Sequence, residues 1–158
     1  MFNKDEYFSI IEKQFMFLLD EFEYQVINEE SKISFLYDVN FQKSNSMISV
    51  SFDIRENYLQ VILFILKNGH LPDYDDKEHT IHLEKLNNMI LPLLSKEEIS
   101  DNNDFFQNIK PLNQLEKRLL KSAKELRLCM KSKSYLFSNV VLELNIHGLS
   151  ICLFFLLN

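Results

Sequence analysis

The sequence predicts an α+β fold: an N-terminal helix packed on a four-stranded antiparallel meander, followed by C-terminal helices and an apolar tail. Three observations predict it. Apolar residues recur every three or four positions over residues 5–22. They then recur at every second position over residues 33–41 and 47–54, and the connections between these stretches are short. A helix with one apolar stripe and strands with one apolar face each need a cover, and each supplies the other's. A length of 158 residues suits one domain. It is placed at residues 1–133, with the tail at 134–158.

Asn3 with Glu6 three residues on fits a helix N-cap and its capping-box partner. Phe8, Ile11, Phe15, Leu18, Leu19 and Phe22 then make the stripe, widened by Met16 and Phe17, while Glu12, Lys13, Asp20 and Glu21 take the other side. After Phe22 the period changes. Tyr24 to Ile27 reads as a short strand and Glu29 to Ser31 as a turn. Ile33, Phe35, Tyr37, Val39 and Phe41 alternate with Ser34, Leu36, Asp38 and Asn40, and Gln42 to Ser46 follows as a polar hairpin loop. Ile48, Val50, Phe52 and Ile54 alternate with Ser49, Ser51, Asp53 and Arg55, so this strand has one dry face and one wet face. Beyond a turn at Arg55, Glu56 and Asn57, the strand over 58–66 is apolar on both faces and asks for a second cover.

Asn68 to His79 is a loop by its Asn-Gly pair, its Pro72 and its polar run. Residues 81–91 form a short helix with Ile81, Leu83, Leu86, Met89 and Ile90 inward, Thr80 as its cap and Pro92 near its end. Ser95 to Asp104 reads as a polar connector. Pro111 opens the second long helix, a position where proline's missing N–H costs nothing. Leu112, Leu115, Leu119, Ala123, Leu126 and Met130 form its apolar stripe, with Lys117, Lys121, Lys124 and Lys131 opposite. From Ser134 onward the only charged residue is Glu143. Three readings of this tail stay open: a hairpin of strands near 135–144 and 149–157 about the Asn145–Gly148 turn, a membrane-inserted segment, or an extension without fixed structure. Its cleanest apolar run, Leu149 to Leu157, is far short of the ~20 residues a spanning helix needs.

Composition narrows the function. Two glycines, Gly69 and Gly148, leave no Gly-rich loop whose backbone could approach a phosphate. Cys129 and Cys152 have neither redox nor zinc spacing and read as reduced thiols of a cytoplasmic protein. The first residues are acidic and periodic, unlike a secretion signal. Residues 1–109 hold 9 Lys/Arg against 20 Asp/Glu, a net −11, whereas 110–133 hold 8 against 2, a net +6. An acidic body repels nucleic acid over most of its surface and favours a basic protein partner. The lysines of the last helix read as a solvated face that offsets that body.

No residue pattern indicates a catalytic, cofactor or metal site. The loop His70, Asp73, Asp75, Asp76, Glu78, His79 and His82 has ligand-type side chains, and a small metal-dependent enzyme there is an alternative reading. However, it lacks the glycine and twelfth-position glutamate of an EF-hand, and the chain has no H-E-x-x-H helix. The reading favoured is contact. Asp73, Tyr74, Asp75, Asp76 and Glu78 make an acidic patch with an aromatic in it, suited to gripping a basic protein. Asp53, Arg55 and Glu56 at the hairpin turn are a second contact candidate, with Asp53 and Arg55 on one face as a surface ion pair. A membrane-tethered accessory protein using the tail, flanked by Lys131 and Lys133, is the other alternative.

The stretch "IIEKQFMFLLDEFEYQV", an alternating strand, and then "ISVSFDIRENYLQVIL" resemble the small bacterial proteins found as immunity partners of polymorphic toxins. Phe15, Leu18, Leu19, Phe22 and Tyr24 carry the aromatic helix end, and Asp53, Arg55 and Glu56 the hairpin. The resemblance covers residues 5–66. It implies an α+β fold and a non-enzymatic cytoplasmic inhibitor that occludes a protein toxin, a basic toxin domain being the implied partner. Such proteins place a small residue before the Tyr24 position, where Glu23 stands here.

Overall fold

A computed structural model describes residues 3–27 and 34–132 of the chain. They form an α+β fold around a five-stranded antiparallel sheet in the order β1-β2-β3-β4-β5. The strands are β1 (Gln25–Ile27), β2 (Leu36–Lys43), β3 (Ser46–Asp53), β4 (Tyr58–Ile65) and β5 (Thr80–His82). The helices are α1 (Lys4–Phe15), α2 (Phe17–Asp20), α3 (Leu83–Ile90), α4 (Lys96–Phe105) and α5 (Gln114–Lys131), with a 3-10 turn over Leu91–Leu93. The hairpin expected in the tail, and Ile33 at the start of the alternating run, lie outside the described residues.

The alternation of β2 sets the register. Tyr37, Val39 and Phe41 are buried on one face, opposite Phe52, Val50 and Ile48 of β3. Val61 and Leu63 of β4 and Ile81 of β5 continue the same face. Tyr7, Ile11, Phe15 and Leu18 cover it from the N-terminal helices, and Leu119, Ala123, Leu126 and Met130 from α5. Each Ile, Leu, Phe or Met side chain among them, fully buried, contributes about 1.5–3 kcal/mol. The Asn3–Glu6 capping box forms as predicted, with Glu6 N donating to Asn3 Oδ1 at 2.8 Å.

The N-terminal helix differs from expectation in one respect: its hydrogen bonding is interrupted at Met16. Met16 keeps helical dihedrals (φ −50°, ψ −33°), so the chain holds its direction. Phe17 lies well off the stripe of Phe15 and Leu18, yet it is buried, because Phe15, Phe22 and Phe106 surround its ring. The chain then leaves the helix through Glu23 in the left-handed region (φ 61°), while Tyr24 N donates back to Leu18 O at 2.9 Å. That bond reaches one residue further back than a Schellman closure, and the left-handed residue before it stands where glycine is favoured. Left-handed backbone costs a non-glycine residue roughly 1–2 kcal/mol, partly offset by glycine's greater freedom when unfolded. Glu23 also holds Lys43 at 3.1 Å, but this exposed pair adds little. Glu23→Gly is expected to stabilise the protein by about 0.5 kcal/mol, read as a higher urea midpoint at unchanged m-value.

The C-terminal half brings three corrections. Thr80 does not cap a helix. It begins β5, which pairs Ile62–Phe64 with His82–Thr80 and widens the four-stranded meander to five strands; α3 starts only at Leu83. The polar connector is a helix, α4, opened by a Ser95–Glu98 capping box. On it the buried residue is polar, Asn102, which is why an apolar period was lacking. Finally, α5 starts at Gln114 with Asn113 as N-cap, so Pro111 lies before it and Leu112 points to solvent at 89 % exposure.

The second face of the sheet also departs from expectation. Ser49 and Ser51, read as wet, are 4 % and 3 % exposed. Both hydroxyls donate to Asp38 Oδ1 at 2.7 Å, and Asn40 Nδ2 donates to Asp38 Oδ2 at 3.2 Å. Beside this polar group Met47, Ile62, Phe64 and Leu66 form an apolar cluster of their own.

Candidate functional site

The acidic loop is built from a tight turn. Asn68 (φ 53°) and Gly69 (φ 79°) both take positive φ, as a two-residue type I′ hairpin requires. Lys67 N donates to His70 O at 2.8 Å and His70 N to Lys67 O at 2.9 Å. This turn brings Lys67 back over the loop, where its ammonium bonds the Asp76 carboxylate. Asp76 also accepts from Glu78 N at 3.1 Å and pairs with His79 Nδ1 at 3.0 Å. Asp76 N donates to Asp73 O, and Thr80 Oγ1 to the same carbonyl.

Asp76 is therefore the organiser of the loop, whereas its neighbours are displayed. Lys67 first, then His79, hold the Asp76 carboxyl well below the usual carboxylate range, and Asp76 in turn raises Lys67. Asp73, Asp75 and Glu78 are exposed, and no side-chain hydrogen bond of theirs occurs among the described residues. Tyr74 stands between them with 64 % exposure, its ring edge-on to Phe64 at 5.7 Å. Burial of its inner edge, and then the Asp38 charge, raise the Tyr74 phenol. The result is an aromatic flanked by three solvent-facing carboxylates on a braced loop.

Because its carboxyl titrates so low, Asp76 keeps bracing the loop as pH falls through the ordinary carboxylate range and releases it only below. Asp76→Ala is expected to speed amide exchange across residues 73–79 several-fold while leaving the β3 amides unchanged, measured by hydrogen exchange at neutral pH.

The second candidate group has a different structural part. Asp53 Oδ1 accepts from Arg55 N at 2.9 Å and Glu56 N at 3.2 Å, which closes the β3–β4 turn. The Glu56 N–H, then the Arg55 N–H and charge, lower the Asp53 carboxyl. Arg55 lies 3.7 Å from Asp53 as the predicted pair, and its guanidinium stacks on Phe35 at 3.2 Å. This turn and the acidic loop sit at opposite ends of the eight-residue β4, about 23 Å apart at 3.3 Å per residue. The two candidate groups do not form one patch.

No family model, no curated protein and no solved structure matches this chain. Among the described residues, no helix is long and apolar enough to cross a membrane. No three His, Cys, Asp or Glu side chains there converge as a metal site needs. Cys129 is buried on α5 with its thiol donating to Asn87 Oδ1 at 3.2 Å, as a small core residue. Sequence reasoning missed Lys67, which stands outside the acidic run. The signal was the Asn-Gly pair beside it, which folds Lys67 back toward the carboxylates that follow.

Proposed function

We propose that this protein is a non-enzymatic cytoplasmic binding protein that inhibits a basic protein toxin domain by occlusion, as immunity proteins do. One observation carries the reading: Tyr74 is displayed with Asp73, Asp75 and Glu78 on a loop that Lys67, Asp76 and His79 hold in shape. An ordered loop loses little entropy on binding. The exposed ring supplies an anchor and the carboxylates speed encounter with a cationic partner. The acidic balance of residues 1–109 extends the same field. The hairpin tip at Asp53, Arg55 and Glu56 lies too far away to share a small footprint and would join only a partner that spans the length of β4.

The test is co-expression with a toxin encoded by the adjacent reading frame. Protection of the cells and a co-purifying complex are expected. Tyr74→Ala is expected to weaken the complex at least tenfold, a loss of about 1.4 kcal/mol or more. Replacing Asp73, Asp75 and Glu78 together by lysine is expected to slow association and remove its salt dependence. A toxin that kills regardless, with no complex formed, would sink the proposal.

A further inference from the structure

The lysines of α5 do more than offset the acidic body, because they border a groove. α4 meets α5 through short amides. Asn102 Nδ2 donates to Lys124 O at 3.0 Å, Arg127 Nη1 to Asn102 Oδ1 at 2.8 Å, and Lys124 Nζ to Asn103 Oδ1 at 3.0 Å. Beside these contacts a groove of about 420 Å³ remains between α4, α5 and the 3-10 turn. That volume lies within the roughly 300–1,000 Å³ of ligand sites. Leu91, Ile99, Leu120 and Leu128 give the groove an apolar lining. On α5, Leu120, Lys124 and Leu128 form one row at four-residue spacing, and Lys117, Lys121 and Glu125 form the next. Lys117 and Lys121 are exposed. Lys117 makes no ion pair among the described residues. Lys121 has only a mostly exposed one, with Glu125 at 3.7 Å, which holds it weakly. Three lysines against one glutamate leave the lining with a net charge of +2. Ile99, on the α4 wall, is 39 % exposed, and Leu112, which follows Pro111 of the lining, is 89 % exposed. An apolar track with a cationic border therefore stands open to solvent.

Its complement is anionic and carries apolar side chains on one side. The α4 wall excludes a broad anionic surface. α4 holds Glu97, Glu98, Asp101 and Asp104 against Lys96. A bilayer or a nucleic-acid backbone laid across both helices would be repelled by this one. A narrow element seated between them meets the lining alone. A third helix has that shape, since its side-chain ridges pack into the groove between two others. Apolar residues at i, i+3, i+4 and i+7 enter the groove as anchors. Acidic residues beside that stripe reach Lys117 and Lys121, which stand about 6 Å apart along α5, one turn of a facing helix. We propose that the α4–α5 groove binds an acidic amphipathic helix of a partner protein. It is a second interaction surface, opposite in charge to the acidic loop, and it does not rest on the toxin reading.

The test uses the full chain and a synthetic helical peptide of about four turns, with leucine at i, i+3, i+4 and i+7 and glutamate flanking that stripe. Saturable binding is expected by fluorescence anisotropy, weakening as salt rises. Lys117→Glu combined with Lys121→Glu is expected to weaken it at least tenfold and to flatten its salt dependence. Ile99→Gln is expected to weaken it several-fold at unchanged salt dependence. All three side chains are exposed, so these variants keep the fold, which an unchanged urea midpoint checks. A scrambled peptide of the same composition is expected not to bind. Amide shifts on adding the first peptide are expected at Ile99, Leu120 and Leu128 and not at Tyr74. Absence of saturable binding would overturn the proposal. So would equal affinity for the scrambled peptide, which would reduce the attraction to charge alone. Flotation with phosphatidylglycerol vesicles, abolished by the double lysine variant, would assign the lysines to a membrane surface instead. Self-association of the peptide-free protein, lost in that same variant, would assign the groove to a second copy and likewise overturn the proposal.

Discussion

Glu21→Ala is expected to destabilise the protein by about 2–4 kcal/mol, because it strands a buried cation. Arg127 is 4 % exposed on α5. Its Nε and Nη2 donate to Glu21 Oε1 at 3.1 and 2.7 Å, its Nη1 to Asn102 Oδ1 at 2.8 Å, and its plane lies 3.6 Å from the Phe105 ring centre. One guanidinium thus ties α2, α4 and α5 together. Glu21 is a quarter exposed, so water replaces part of what the carboxylate gave and the loss falls toward the lower end. Arg127→Met is expected to cost less, about 1–2 kcal/mol, since a methionine fills the slot without a charge to solvate, and the chief loss is the hydrogen bond to Asn102. The double variant should be more stable than Glu21→Ala alone. Urea denaturation of the four proteins gives the coupling directly. If Glu21→Ala proved silent, the guanidinium would be solvated by another route.

That network shows what the sequence conceals. The stripes and alternations were legible because one face of each element is apolar and the periods of 3.6 and 2 are distinct. The core faces of β2 and β3 (Tyr37, Val39, Phe41, Ile48, Val50 and Phe52) and Leu119, Ala123, Leu126 and Met130 of α5 follow from them. α4 did not, since its buried residue is Asn102 and its hydrogen bonds to α5, from Asn102 to Lys124 O, from Arg127 to Asn102 and from Lys124 to Asn103, are all polar. A helix attached through polar groups has the composition of a loop, and the sequence reading passed over its one local signal, the Ser95–Glu98 capping box. β5 was hidden for another reason. Three residues are too few to show a period, and its pairing with β4 depends on the loop geometry that Lys67 and Asp76 set. The wet reading of Ser49 and Ser51 failed because alternation reports polarity, not exposure, and a serine hydroxyl satisfied by a carboxylate can be buried. At the candidate site the residue types could be read from sequence. Their division into an internal brace, Asp76, and displayed groups, Asp73, Tyr74, Asp75 and Glu78, could not, because it rests on which carboxylate the Asn-Gly turn delivers Lys67 to.

The fold is expected to come apart in alkali, and Tyr7 is the principal reason. Tyr7 is fully buried between α1 and the sheet and donates its hydroxyl to Val50 O at 3.0 Å. Burial, and then the Asp38 charge, push its phenol well above the ordinary value. Burial raises Tyr24 as well, against the Ser46 hydroxyl contact. In the unfolded chain both phenols ionise near their ordinary pKa of about 10, while the fold raises both, Tyr7 well above that value. Their contribution is complete below that pH. Above it the unfolded state binds fewer protons than the folded one, so stability falls as pH rises toward the folded pKa values, by about 1.4 kcal/mol per pH unit for each phenol. Tyr7→Phe gives up the hydrogen bond to Val50, a loss of about 1 kcal/mol at neutral pH. It also removes one of the two slopes. The stability curves of the parent and Tyr7→Phe proteins should therefore meet about one pH unit above the free phenol's pKa, with the variant more stable beyond that point. Tyr58→Phe, at a side chain 55 % exposed, serves as the control and is expected to run parallel to the parent. Urea unfolding across that pH range decides the matter. Curves that stay parallel for Tyr7→Phe would mean that a phenolate is accommodated in the core, and that the packing of α1 on the sheet is looser than the Tyr7–Val50 bond requires.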